Sequence, residues 1–386
     1  MIVQIPRPIS SGTESYGLGD PSEYPVSLPL PKLSSPSQGL ESLKWPTNFL
    51  STLQATGEAE YLDDLKFSSL HAACVLSSVS NAVIEEIDPS KALEVKGVMS
   101  FLSADTISAS GYCNFIRIKQ QPSTGMLCNW GSGEFKFHCC EAGRFRKGDK
   151  WQQGIHHTEM DIAIAAAEMV IVKYKDLTEP ILTIEDAIRE NSFFDTRGIN
   201  FMKGNVGRSL GVADVIVEGE VHVGHQYHFH LETHRALCIP GEEGCMVVYS
   251  STQNPSLVQQ CVSVALNCPQ HKITVNVKRV GGAYGAKLNR TPPVAMACAM
   301  AADMLQKPVR LVLDLPTNMQ LVGGRSPYLC RYKAGAENNG RITAIEMHIF
   351  NNQGSHFDFE YPNLGNLPMF IEGVYSIENW KLKEKL

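Results

Sequence analysis

The sequence has little net charge, no long apolar run and no export signal. Its 386 residues carry a formal net charge of −6, and no block of lysine or arginine is long enough to mark a nucleic-acid-binding surface. No apolar stretch approaches the roughly 20 residues that a membrane-spanning helix needs. The N-terminal residues MIVQIPRPISSG lack a basic segment followed by an apolar core. We therefore predict a cytoplasmic protein that binds neither nucleic acid nor membrane.

Closely spaced cysteines are also missing. The chain has eleven cysteines, which are scattered and form no Cys-x-x-Cys pair. Iron–sulfur clusters need closely spaced thiolates, so we predict no such cluster on this chain. An odd number with irregular spacing favours reduced thiols over disulfides.

The nucleotide-binding motifs are absent although a glycine-rich turn is present. The stretch NVKRVGGAYGAKLNR, residues 276–290, reads as a strand that runs into such a turn. A P-loop needs Gly-Lys-Ser/Thr, whereas Leu288 follows Lys287 here. The Gly-x-Gly-x-x-Gly fingerprint is kept only in part, by Gly282 and Gly285. Because glycine lets the backbone approach a bound group, we expect the turn to contact something other than a nucleotide phosphate.

What is present is an ordinary globular composition, with 43% apolar and 19% charged residues. Residues 1–53 are rich in Pro, Ser and Gly and are predicted to be a leader or linker, with a possible insertion at 39–53. A first domain is predicted over 54–178, within which 113–157 has no period and is not interpreted as regular structure. A second domain is predicted over 195–386.

Helices and strands are mixed in both domains, so the predicted fold class is α+β. Thr183 and Asp186 have the spacing of a capping box, which predicts a helix start. Residues 211–233 are interpreted as a helix followed by a long strand. Further predicted helices are 90–97, 161–168, 255–266 and 292–306, and further predicted strands are 98–102, 170–174, 245–253, 272–280, 308–315 and 341–356.

Several polar residues are candidate ligands, each with a plainer alternative. On one strand, His228, His230 and His234 would point the same way and form a zinc site, although a polar strand edge is the more common explanation. Gln226, in the same segment, is more often an ordinary hydrogen-bonded residue. Arg325 would suit an anion, but a local ion pair or solvent explains it equally well.

Taken together, several segments resemble the molybdenum hydroxylases, the family of aldehyde oxidases and xanthine dehydrogenases, and are closer to the aldehyde oxidases. They occur in the family's order and spacing and cover most of 1–38, 54–110 and 158–386. The resemblance implies an α/β hammerhead domain followed by the N-terminal part of a molybdopterin-binding domain. The segments are GEAEYLDDL, TIEDAIRENSFF, GEVHVGHQYHFHLETH, STQNP, VKRVGGAYGAK and GGRSPYLCRYKAG.

The resemblance also implies site residues. The glycine-rich turn, here Gly282, Ala283, Tyr284 and Gly285, packs against the molybdenum–pterin cofactor, with Tyr284 beside the metal where the family usually has Phe. Gln226 takes the position of the glutamine that reaches an oxygen ligand of the molybdenum. Leu288 takes the position that, as a glutamate, binds the purine in xanthine dehydrogenases.

Departures from the family pattern set further expectations. Alanine stands at 283 and 286, where glycine is usual. The catalytic glutamate is expected beyond Leu386, and iron–sulfur clusters and FAD on other domains. Hydroxylation needs a base, so we expect an oxidoreductase that acts on aldehydes or N-heterocycles as part of a longer, homodimeric chain, with no turnover from these residues alone. The alternative is a non-catalytic remnant that binds no cofactor.

Overall fold

The computed structural model describes residues 49–78, 82–103, 136–140, 159–175, 179–194, 200–352 and 370–385. The mixture of helices and strands confirms the α+β class. The helices are α1 Phe49–Thr56, α2 Ser90–Leu93, α3 Glu159–Glu168, α4 Ile184–Arg189, α5 Val206–Gly211, α6 Pro255–Ala265, α7 Ala286–Asn289, α8 Thr291–Leu305 and α9 Leu315–Val322. The strands are β1 Leu70–Val75, β2 Val83–Asp88, β3 Val98–Leu102, β4 Lys136–Cys140, β5 Ile171–Lys175, β6 Asn200–Lys203, β7 Val215–Val223, β8 Gln226–Tyr227, β9 Arg235–Pro240, β10 Met246–Ser250, β11 Ile273–Asn276, β12 Val309–Val312, β13 Gly324–Arg325, β14 Tyr328–Ala336, β15 Ile342–Asn351 and β16 Asn379–Lys385.

A seven-stranded mixed sheet carries the largest core. Its strand order is β11-β10-β9-β12-β1-β4-β3, so β1, from the first predicted domain, pairs in parallel with β12, from the second, with Leu70 opposite Val309. The alanine-rich helix α8 covers this sheet beside α6. Small side chains let a helix lie close to a sheet, which is why Ala295, Ala299 and Ala302 are fully buried there.

Two buried arginines of the same sheet bind residues 62–65, which precede β1. Arg235, on β9, pairs with Asp63. Arg310, on β12, donates to the carbonyl oxygens of Leu62 at 3.2 Å and Leu65 at 2.6 Å. The residues before β1 therefore have a fixed place on the strands of the second region. The domain boundaries stay a prediction.

A five-stranded sheet, in the order β6-β16-β15-β14-β7, forms a second layer of structure. On one face, the paired residues Ile345 and Trp380 form a small buried cluster with Ile377. The opposite face carries exposed ion pairs, among them Lys333–Glu218 at 2.5 Å, which contribute little to stability because solvent screens them. Two small antiparallel pairs, β2 with β5 and β8 with β13, complete the described strands.

Many of the predicted elements are confirmed. The helix at 159–168 and the strand at 171–175 lie within a residue or two of their predicted positions, and Thr183 caps α4 by accepting from the N–H of Asp186 at 3.0 Å. The prediction of a helix and then one long strand over 211–233 is wrong, since α5 ends at Gly211. β7 ends at Val223, β8 covers two residues, and 228–234 contain no strand.

The two irregular stretches of the sequence are described only in part. Residues 136–140 form β4, which lies between β1 and β3 and is antiparallel to both. Nothing in the sequence pattern indicated this strand, and the rest of 113–157 lies outside the described residues. The proposed insertion at 39–53 overlaps the start of α1 at Phe49, and its earlier residues also lie outside.

Candidate functional site

The glycine-rich turn joins β11 to the short helix α7 and is built largely from left-handed backbone. Gly282 (φ 87°), Tyr284 (φ 53°) and Gly285 (φ 92°) all have positive φ. Glycine adopts this region without strain, whereas a tyrosine there is uncommon and needs support from its surroundings. β11 ends at Asn276, so the strand predicted through residue 280 is shorter than expected.

The two alanines of the turn fit their positions. Neither Ala283 nor Ala286 has positive φ, and both are buried. A methyl group is therefore accommodated at both positions, although glycine is usual there in the family that the sequence resembles.

The turn presents unpartnered backbone donors. Among the described residues, the N–H groups of Gly282, Ala283, Tyr284 and Gly285 donate to no acceptor, while the flanking N–H of Ala286 donates to Ala283 O at 2.9 Å. Gly282 is half-buried and Ala283 is buried, whereas Tyr284 and Gly285 are exposed, and a buried donor without a partner is costly. The arrangement is therefore typical of a segment that receives a ligand.

A buried cluster of polar side chains lies against the first part of the turn. The carboxylate Oε2 of Glu232 accepts from Lys287 Nζ at 2.8 Å, Ser251 Oγ at 2.5 Å and the N–H of Gly281 at 2.7 Å. Lys287 Nζ also lies 2.7 Å from Ser251 Oγ. Donors from the turn, from the residue after β10 and from α7 thus meet at one oxygen atom.

Hydrogen bonding keeps this carboxylate ionised in spite of its burial. Burial alone acts to raise the pKa of Glu232, but the donors from Lys287, Ser251 and Gly281 together outweigh it and hold the pKa below its ordinary value. Burial also lowers the pKa of Lys287, and Glu232 opposes that effect. Lys287 and Glu232 can both stay charged in this buried place because each charge compensates the other.

His234 fastens the other end of the turn. Its Nε2 lies 3.1 Å from the carbonyl oxygen of Ala286, and its Nδ1 lies 2.9 Å from Asn318 Oδ1. Burial lowers the pKa of His234 to about 4, although the bonds to Asn318 and Ala286 act in the opposite direction. At neutral pH the ring is therefore neutral and carries one N–H, which donates to Ala286 O from Nε2 or to Asn318 Oδ1 from Nδ1.

We expect this histidine to make the fold sensitive to acid. Because its pKa falls from 6.5 in the unfolded chain to about 4 in the folded chain, protons bind the unfolded state first. Its contribution is present above pH 6.5 and is lost as the pH falls toward 4. Between pH 7 and pH 5, unfolding free energies should fall about 2 kcal/mol further in the native chain than in His234→Gln. Equal slopes in the two proteins would contradict the assignment; His271→Gln is the control for histidine removal at an exposed position.

The structure does not arrange the three candidate histidines as the predicted zinc site requires. His228, His230 and His234 lie on a loop, not on one strand, with the rings of His230 and His234 5.2 Å apart. Across the described part of the chain, no three His, Cys, Asp or Glu side chains converge on a metal position. His230 instead lies against the turn, because a Cβ on Gly282 would come within 3.1 Å of its Cβ.

Buried polar atoms without partners gather in this region. Among the described residues, His228 Nδ1, His230 Nδ1, Glu232 Oε1 and Asn289 Oδ1 are buried and make no hydrogen bond. Most such atoms in folded proteins are satisfied by protein, water or ligand. Two of these residues, His230 and Glu232, contact the turn directly, so a polar ligand there would satisfy their unpartnered atoms.

Gln226 and Arg325, which the sequence singled out separately, lie opposite each other. They are paired in the β8–β13 ribbon, where Gly324 faces Tyr227. A Cβ on Gly324 would lie 2.3 Å from the carbonyl oxygen of Gln226, so only glycine fits. Among the described residues, no hydrogen bond joins the Gln226 side chain to the turn.

The remaining predicted site residues lie on or just after the turn. Tyr284 is 74% exposed, and Leu288, whose N–H donates to Gly285 O at 3.2 Å, is half-buried. Sequence reasoning missed Ser251, Lys287 and His234 as supports. The one available signal was the placement of charged or polar residues inside otherwise apolar surroundings, which is uncommon for lysine.

The fold and the turn define a protein with a cofactor-binding domain, and comparison with known proteins identifies the cofactor. Residues 186–386 match the family model of the molybdopterin cofactor-binding domain. Residues 56–129 match that of the aldehyde oxidase and xanthine dehydrogenase a/b hammerhead domain.

Relatives and solved structures agree with both matches. Aldehyde oxidase 1 of Macaca fascicularis is 38% identical over 309 residues, 79% of this chain and 22% of the relative. Xanthine dehydrogenase of Dictyostelium discoideum is 30% identical over 98% of this chain and 25% of the relative. The aldehyde oxidoreductase of Desulfovibrio gigas shares the fold, with a TM-score of 0.67 at 21% identity over 87% of this chain and 37% of that one.

The chain belongs to the molybdenum hydroxylase family. It spans about a quarter of the length of the curated relatives it matches. The described residues contain no helix that is both long enough and apolar enough to cross a membrane.

Proposed function

We propose that this chain supplies one wall of the molybdopterin site in an enzyme that hydroxylates aldehydes or N-heterocycles, with water as the oxygen source. The turn at 281–285 is the observation that carries the proposal. The N–H groups of 282–285 lack partners, three of these residues have positive φ, and His230 and Glu232, which contact the turn, each have one unpartnered polar atom. These features fit a large polar group that the backbone must approach closely.

The residues that would hold the cofactor are those the sequence singled out. The backbone N–H groups of Gly282, Ala283, Tyr284 and Gly285 would donate to it, and Gln226 and Tyr284 would lie in the surroundings of the molybdenum. When bound, the cofactor supplies the redox chemistry of hydroxylation. The chain's own contribution is to bind and orient it, with neutral His234 holding the turn through Ala286 O.

The wider assembly follows the same proposal. The base that activates water, the iron–sulfur clusters and FAD belong to other parts of a longer chain, which we propose is a cytoplasmic homodimer. The boundaries 54–178 for the hammerhead domain and 195–386 for the cofactor-binding domain are proposed with it, as is a leader or linker over 1–53.

Leu288 is proposed to set the substrate class. A leucine cannot accept from a purine N–H, and an unpaired buried polar group costs about 1–3 kcal/mol. The complete, cofactor-loaded enzyme should therefore oxidise benzaldehyde more efficiently than xanthine. Leu288→Glu should lower the ratio of kcat/KM for benzaldehyde to kcat/KM for xanthine roughly tenfold or more. The matched control is Leu305→Glu, at the end of α8. Efficient xanthine turnover by the native enzyme would contradict the aldehyde preference.

We propose that the 386 residues alone are inactive. This corresponds to the alternative function, a non-catalytic fragment that binds no cofactor. The support is the exposure of Tyr284, Phe229 and Leu231 beside the turn, which leaves one side of the site open in the described structure. Expressed in a host that makes the cofactor, the purified chain should contain far less than one molybdenum per chain and should oxidise no aldehyde. Stoichiometric molybdenum with activity would show that these residues suffice.

A further inference from the structure

The buried carboxylate of Glu232 accepts three hydrogen bonds through Oε2, one of them from the turn itself. We infer that Glu232 is a positioning residue, which holds the glycine-rich turn in the shape that receives the cofactor, and that Lys287 and Ser251 fix its carboxylate. The identity of the ligand in this inference rests on the proposed function. The contacts of Glu232 with the turn do not depend on it.

The contacts between Glu232 and the turn run in both directions. The N–H of Gly281 donates to Glu232 Oε2 at 2.7 Å, and the N–H of Glu232 donates to Gly281 O at 3.0 Å. The approach is so close that a Cβ on Gly281 would lie 2.6 Å from Glu232 Cβ. Glycine at 281 is thus required by the contact with Glu232, whereas Gly282 and Gly285 are explained by their positive φ.

Two side chains outside the turn, Ser251 and Lys287, hold the Glu232 carboxylate in place. Ser251 follows β10, and Lys287 lies in α7 with its side chain fully buried. The carbonyl oxygen of Lys287 in turn accepts from the N–H of Gln253, from Thr252 Oγ1 and from Thr291 Oγ1 at 2.9–3.1 Å. Both ends of the turn are therefore fixed by several bonds each.

The middle of the turn contrasts with its ends. Between Gly281 and Ala286, the backbone N–H groups donate to nothing among the described residues. Rigid ends with an unpartnered middle are what a preformed binding segment needs, because the donors then hold their direction without a ligand. Since all three donors converge on Oε2, loss of that one acceptor should release the turn selectively.

Two double variants separate positioning from simple charge compensation. Glu232→Gln with Lys287→Met removes both charges and keeps an acceptor oxygen for Gly281. Glu232→Met with Lys287→Met removes both charges and the acceptor, with nearly the same side-chain volume. Neither variant leaves a buried charge alone, so both are expected to fold.

Hydrogen exchange by mass spectrometry on the full 386-residue chain gives the readout. In the Met/Met variant, the peptide covering 277–290 should exchange roughly tenfold to a hundredfold faster than in the Gln/Met variant, which corresponds to loss of one hydrogen bond to the turn. Peptides from β14 and β15 should be unchanged. Leu382→Ala, which creates a cavity in the five-stranded sheet, should affect those peptides and leave 277–290 unchanged.

Equal exchange of 277–290 in the two double variants would overturn the inference, as would an equal rise in every peptide. Molybdopterin content, measured by fluorescence of the oxidised pterin in the complete enzyme, is the second readout and should fall in Met/Met relative to Gln/Met. If exchange differs as expected but the native protein binds no pterin, the proposed function fails and the positioning role stands.

Discussion

Lys287→Met should lower the free energy of unfolding by about 3–5 kcal/mol, the largest effect that we expect from a single substitution in this chain. The side chain of Lys287 is fully buried, and its Nζ lies 2.8 Å from Glu232 Oε2. Methionine fills nearly the same volume, so packing is retained. What is lost is the charge that compensates a carboxylate only 6% exposed. An uncompensated buried charge costs far more than the loss of a charge at the surface.

Denaturant unfolding of the native and variant chains measures the difference. Lys333→Met is the matched control, because Lys333 also pairs with a glutamate, Glu218, at 2.5 Å but is 41% exposed. We expect the control to cost less than about 1 kcal/mol. Comparable losses in the two variants would mean that the Lys287 pair is solvated and not buried.

Gly324→Ala should have the second largest effect, about 3 kcal/mol, and it should act on the Gln226 ribbon. An alanine Cβ there would lie 2.3 Å from the carbonyl oxygen of Gln226 and 2.9 Å from its carbonyl carbon. Because both atoms belong to the backbone, no rotamer change relieves the overlap. β8 and β13 must separate, and Gln226 moves with them.

The change is measured by unfolding and by hydrogen exchange of the peptides that contain 224–228 and 323–327. Gly211→Ala provides the control, since a Cβ at that helix end meets nothing within 4 Å and alanine is the better helix former. It should be neutral or slightly stabilising. A Gly324→Ala chain with native stability and native exchange would show that the ribbon adapts without cost.

Local structure could be predicted from the sequence where one physical signal dominated. The helices predicted at 161–168 and 292–306 correspond to α3 and α8, and the one predicted at 255–266 to α6, where Asn254 accepts from the N–H of Leu257 at 3.2 Å. Thr183 marked another helix start for the same reason. These features depend on residues within four positions of each other, so no knowledge of the tertiary fold is needed.

Features that depend on distant residues could not be predicted. Strand β4 has no periodic pattern, and it forms because β1 and β3 each offer it a free edge. The loop at 228–234 alternates like a strand, yet it must turn because Glu232 bonds to Gly281, 49 residues away. The buried role of Lys287 could not be predicted, because lysine is usually exposed. Only the folded arrangement shows which carboxylate compensates its charge.

The candidate site residues differ little from ordinary surface residues, and only their resemblance to a known family distinguishes them in the sequence. Gln226 and Tyr284 are exposed, so neither hydropathy nor burial distinguishes them from ordinary surface residues. Gly282 and Gly285 do stand out in the sequence, because closely spaced glycines mark turns. Their φ values give the reason for glycine at both positions, and the roles of all four toward a cofactor stay predictions.

The pairing of β1 with β12 has a consequence for how the protein is made. Leu70 and Val309 are neighbours in the sheet but are separated by about 240 residues of chain, which a ribosome translating ~5–20 residues per second needs roughly 10–50 s to synthesise. Throughout that interval β1 has its apolar residues but lacks its parallel partner. The early part of the nascent chain therefore depends on chaperones or on rapid local pairing to avoid association with other chains, and truncation before residue 312 should yield an aggregating product.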